Sequence, residues 1–196
     1  MSNLKSRREA RQTRRKKQQL HTRLIWGGIG IAVLAVIGVG VWNTIRPPVG
    51  DPYPILSPDH IEDGIEPTGY NSNPPTSGPH YARGLDRGFF DESDLPNLPP
   101  FPEGGAVHNL EHGYIVFWYN CTILEEAECA ELKSDIRTFM STSTYSKLIA
   151  LPWDSTDVPL ALTSWGYLLE METFSSRQAR NFIQSNWRNA PEATAP

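Results

Sequence analysis

Three histidines stand where they could do chemistry together. His80 falls in Thr76-Ser77-Gly78-Pro79-His80-Tyr81, and a pair falls in Val107-His108-Asn109-Leu110-Glu111-His112-Gly113. Imidazole is the commonest metal ligand at neutral pH, and three converging rings leave one position of a tetrahedral ion open. The backbone decides whether the pair can share an ion. On a helical turn, residues four apart lie on one face; on a strand they would stand about 13 Å apart. Gly113 suits a left-handed cap that ends such a turn, and Gly78-Pro79 suits a tight bend carrying His80 over the pair. The spacing therefore predicts His80, His108 and His112 as ligands of one zinc or copper ion. Glu111 and Tyr81 stand beside them, Glu111 as a supporting partner or a fourth ligand. Affinity alone favours copper.

Two other readings compete. His108-x-x-Glu111-His112 also spells a zinc-protease motif in which the Glu is the base acting on metal-bound water. That motif needs a sustained helix and a further carboxylate ligand, whereas this one runs into Gly113. Alternatively the three histidines only fix loops by hydrogen bonding, with Glu111 pairing one of them, and the chain is an interaction module without a metal. His21, in a basic tail, and His60, in a Pro-rich stretch, are set aside. So are the Asn120-Cys121-Thr122 sequon, the acidic Asp91, Glu92 and Asp94 as a calcium loop, and Ser72, Thr76 and Ser77 as nucleophiles without an oxyanion framework.

The elements that must position these residues concentrate after Val107. Gly113–Asn120 is a run of β-branched and aromatic residues and reads as a buried strand. Cys129, Leu132, Ile136, Phe139 and Met140 recur at helical spacing within Ala127–Thr142. Leu160–Trp165 and Tyr167–Met171 read as strands broken at Gly166. Ser175 with Gln178 marks the start of a last helix, whose Ala179, Phe182, Ile183 and Trp187 share a face before Pro191. The expected fold is α+β: a small mixed sheet with two amphipathic helices. Cys121 and Cys129 are expected to join in a disulfide that ties strand to helix, with a loop-closure contribution of roughly 2–3 kcal/mol. Their spacing is unlike Cys-x-x-Cys and no basic residue lies near in sequence, which disfavours a reactive pair.

Ahead of this domain the chain changes character. Residues 1–23 hold nine Lys/Arg against the single acid Glu9, while the rest of the chain holds 9 basic and 21 acidic residues. Between Arg23 and Arg46 there is no charge, and the 19 residues Leu24–Trp42 include ten Leu, Ile or Val. As a helix they would reach about 28 Å, close to a hydrocarbon core. We read residues 24–45 as a single transmembrane helix in the cell membrane. The basic tail 1–23 stays in the cytoplasm and the rest faces outward. The tail has no aromatic residue for stacking on bases, so anionic lipid is its expected partner rather than nucleic acid. No protein partner is indicated. Residues 46–65 read as a Pro-rich spacer, 66–190 as the outer domain and 191–196 as a tail.

The segment Tyr70-Asn71-Ser72-Asn73-Pro74-Pro75-Thr76-Ser77-Gly78-Pro79-His80-Tyr81, then Val107–Gly113, then a Val/Ile-rich strand ending in Tyr119, resembles the bacterial domain-of-unknown-function family 3105. Thr163-Ser164-Trp165-Gly166 is similar to that family's later Ala-Trp-Gly segment, with Ser164 in place of Ala. The likeness spans roughly residues 66 to 189. It implies an N-terminal membrane anchor ahead of the domain and a common constellation of His80, His108, Glu111 and His112. It implies no activity.

Overall fold

In the computed structural model the described residues are 25–38 and 48–195. The chain divides into two units at Pro47/Pro48. In the first, residues 25–38 form a helix (α1) whose residues are all exposed, among them Trp26, Leu34 and Val36. No helix among the described residues is long and apolar enough to cross a membrane. The rest of the expected span, and the basic tail, lie outside the described residues.

The second unit is built on a six-stranded mixed sheet. Its strands are β1 (Asp51–Pro52), β4 (Gly88–Phe89), β5 (Ile115–Tyr119), β6 (Leu148–Pro152), β7 (Leu160–Ser164) and β8 (Tyr167–Met171), in the order β1-β8-β7-β5-β6-β4. β5 runs parallel to β6 and antiparallel to β7. A separate parallel ribbon joins β2 (His60–Ile61) to β3 (His80–Tyr81). The helices are α2 (Pro102–Glu111), α3 (Glu126–Thr142) and α4 (Ser176–Asn186), with a 3₁₀ turn at Glu92–Asn97.

β5 is the hub because both of its faces are covered. Ile115, Phe117 and Tyr119 pack with Leu132, Ile136 and Phe139 of α3 and with Ala179, Phe182 and Ile183 of α4. Val116 and Trp118 point the other way, onto Ala106, Val107 and Leu110 of α2. A strand buried on both faces reads as an unbroken apolar run, as Gly113–Asn120 does. The strands and the two amphipathic helices expected from Gly113 onward are all present within a residue or two. Ser175 caps α4, its side chain accepting from the Gln178 N–H at 3.4 Å. The Cys121–Cys129 disulfide is formed.

Three features go beyond the expected small sheet. β6 gave no clear period of its own, being a short apolar run between Lys147 and Trp153. The stretch read as a spacer contributes β1 and β2, so residues 51–61 take part in the folded unit. The third is α2, a full helix where only a turn around His108–His112 was expected. Its Gly104-Gly105 pair costs about 1 kcal/mol per residue in helix propensity, so the sequence conceals it. Packing explains the glycines. A Cβ on Gly104 would sit 2.8 Å from the Tyr81 ring, which is fully buried. The missing side chain lets α2 lie directly on β3. Gly104→Ala is therefore expected to destabilise the domain by about 1–3 kcal/mol despite the gain in helix propensity. Urea unfolding would check the sign, and an unchanged or raised midpoint would contradict this packing.

Candidate metal centre

The ribbon supplies the first two histidines. In a parallel pair, residues in register lie side by side on one face, and β2 and β3 place His60 opposite His80. Their ring centroids are 4.9 Å apart. The His80 main-chain N–H also donates to the Asp59 carbonyl at 3.0 Å, which fixes the ribbon. α2 supplies the rest from its last turn, where His108 and Glu111 are separated by three positions. The His108 ring lies 5.5 Å from that of His80 and 5.8 Å from that of His60. The outcome is a cluster in which one ligand atom from each of His60, His80, His108 and Glu111 lies within 4.8 Å of all the others.

His80 is the centre of this cluster and is fully buried. Its Nδ1 stands 2.8 Å from the Gly78 carbonyl oxygen. A carbonyl can only accept, so Nδ1 carries the proton. The lone pair of the neutral ring is then on Nε2, which faces Glu111 Oε2 at 3.1 Å. Two acceptor atoms do not face one another at that distance unless a cation lies between them, either a proton or a metal. Two ligands of a tetrahedral zinc at its usual bond lengths stand about 3.3 Å apart. The spacing is that of one edge of a coordination shell.

His108 adds a second signal. Its Nδ1 is buried without a hydrogen-bond partner, a costly state for a polar atom that nothing else satisfies. Burial, followed by the neighbouring rings of His112, His80 and His60, pushes its pKa down to about 4, against an opposing main-chain contact from Tyr81. At neutral pH the ring is uncharged and its lone pair is available to an ion. On the far side the Trp165 indole meets His80 edge-on, with centroids 6.5 Å apart. His60 is exposed, so the cluster has a dry wall and an open edge.

The expected ligands are thus placed unequally. His80 and His108 converge, and Glu111 joins them directly. The His112 ring packs against that of His108, with centroids 4.3 Å apart, as i and i+4 on one helical face should. Its Nε2, however, meets Glu192 Oε2 at 3.2 Å, on the side of the C-terminal segment. That segment is held by the Glu192 N–H on the Glu111 carbonyl and by Lys147 Nζ on the carbonyls of His112, Ala193 and Ala195. Tyr81 lies under the site rather than in it. Its ring packs on α2, and its hydroxyl donates to the Ile65 carbonyl at 3.0 Å. His60, set aside with the Pro-rich stretch, takes the fourth place. Pro58-Asp59-His60-Ile61 and Gly78-Pro79-His80-Tyr81 do share a His followed by a large apolar residue. That signal is too faint to pair two strands.

Comparison with known proteins gives a family and no function. The profile of the family described as "Protein of unknown function (DUF3105)" matches residues 61–196. No curated protein and no solved structure matches the chain.

Proposed function

We propose that this chain, which belongs to the DUF3105 family of proteins of unknown function, binds one transition-metal ion through His60, His80, His108 and Glu111. The observation that carries the reading is the contact between His80 Nε2 and Glu111 Oε2, made while His80 Nδ1 is committed to the Gly78 carbonyl. Three imidazoles and a carboxylate suit zinc or copper. The reading uses Glu111 among the ligands, which takes from the hydrolase alternative the residue it used as base.

The ion would be held outside the cell, on a domain tethered to the membrane by residues 24–45. Support comes from the basic segment before the apolar stretch, from the exposed apolar residues of α1, and from a disulfide suited to an oxidising compartment.

Titration of the full chain in detergent with Zn²⁺ or Cu²⁺ alone is expected to saturate at one ion per chain. Protons should be released as the ion displaces them from the His80–Glu111 contact. Absence of saturable binding at micromolar ion would end the proposal.

A further inference from the structure

The Cys121–Cys129 disulfide lies beside a cleft that the metal centre does not use. Cys121 follows β5 and Cys129 lies in the first turn of α3, so the bond spans the start of the β5-α3-β6 crossover. Next to it is a cavity of about 590 Å³ at the carboxyl ends of the parallel strands β5 and β6. In open α/β sheets that end is where ligands bind. Phe101, Trp153, Pro100 and Tyr119 form its apolar walls, and Cys121 lines it while Cys129 does not. Both cysteines are half-buried residues rather than sealed in the core.

Charged groups surround the bond. A Glu92 carboxylate oxygen and the two sulfurs all lie within 4.8 Å of one another. Lys133, one helical turn after Cys129, reaches Glu92 Oε2 at 2.6 Å and Asp91 Oδ1 at 2.8 Å. Lys133, four positions after Cys129 in sequence, is thus tied to the carboxylate beside the bond. Glu126 and Glu128, in the same turn as Cys129, act against a thiolate there. The helix N-terminus acts for it. A structural cross-link needs none of the cleft, the carboxylate or the ammonium.

We infer that Cys121–Cys129 is a thiol–disulfide exchange site whose substrate is a dithiol-bearing polypeptide lying in this cleft. Sulfur chemistry restricts the reacting group to a thiol. Glu92 and Asp154 on the cleft select basic flanking residues. In the first step Glu92 takes the proton of a substrate thiol, and the thiolate attacks Sγ of Cys121, the sulfur that lines the cleft. The Cys121–Cys129 bond breaks, its electron pair passes to Cys129, and the proton follows from Glu92. In the second step the other substrate thiolate attacks the substrate sulfur of the mixed disulfide, releasing Cys121, which takes up that thiol's proton. The substrate leaves as a disulfide, oxidised by two electrons, and the protein holds two thiols.

The test mixes the oxidised full chain with a reduced Cys-x-x-Cys peptide flanked by lysines and counts alkylated thiols by mass spectrometry. Stoichiometric peptide oxidation without denaturant is expected, at least tenfold slower for Glu92→Gln and slower for a glutamate-flanked peptide. With the oxidised peptide, reduced Cys129→Ser should accumulate a mixed disulfide at Cys121. Cys121→Ser should accumulate little at Cys129. A disulfide that reacts only after urea is added would overturn the inference, whatever the single-cysteine variants do. Equal trapping at either cysteine would overturn the assigned order of attack.

Discussion

Replacing His60 with alanine is expected to weaken zinc binding by more than about a hundredfold, because loss of mere supporting partners already costs 10–100-fold. His80→Ala and His108→Ala should do at least as much. The informative contrast is His112→Ala. Its Nε2 faces Glu192 rather than the other ligand atoms, so this variant should keep most of the affinity and lose packing on His108. One smaller effect works against it. Removing the neighbouring ring relieves one of the influences that hold the His108 pKa down. The proton then competes somewhat better for His108, and metal binding should fall off at a slightly higher pH than in the parent chain. Calorimetric titration of the four variants between pH 5 and 8 would decide. Loss with His112→Ala and retention with His60→Ala would restore the ligand set read from sequence spacing and refute the one assembled by the ribbon.

That contrast marks where the sequence stops being legible. Residues close in sequence could be read together, because helical spacing places His108, Glu111 and His112 on one turn whatever the rest of the chain does. The cap at Gly113 and the bend at Gly78-Pro79 are local in the same sense. Which ring faces which is not local. The pairing of β2 with β3 involves two residues from each strand, twenty positions apart, and no two-residue strand has a period to read. The diversion of His112 depends on Glu192, eighty residues away. The core shows the same division. β5, α3, β7, β8 and α4 carry their signals within themselves. α2 was hidden because its glycines serve close packing, Gly104 on Tyr81 and Gly105 on Leu85, rather than the helix. The environment of the cysteines is divided in the same way: Lys133 stands one helical turn from Cys129 in sequence, while Glu92 reaches the sulfurs only through the fold.

Gly113→Ala should couple the fold to the site. α2 ends in a paired set of bonds, the Gly113 N–H to the Leu110 carbonyl at 2.9 Å and the Tyr114 N–H to the Asn109 carbonyl at 3.0 Å. This termination requires a left-handed residue at Gly113, whose φ is +80°. A side chain there would also find no room, since a Cβ would sit 2.7 Å from the Arg188 Cα. That neighbour is main chain held by its own N–H on the Gly113 carbonyl at 3.1 Å, so it cannot rotate aside. Left-handed strain of about 1–2 kcal/mol and crowding of about 1–3 kcal/mol together put the loss at about 2–5 kcal/mol. Relief of the crowding that moves the end of α2 carrying Glu111 should lower zinc affinity about tenfold in molecules that still fold. Gly64→Ala is the matched control. Its φ is +88°, but nothing lies within 4 Å of an added Cβ, so it should bear the strain alone and leave affinity unchanged. Urea midpoints and zinc titrations of the two variants side by side would separate the effects. Equal losses of stability in both, with affinity untouched, would show that the last turn of α2 does not set the geometry of the centre.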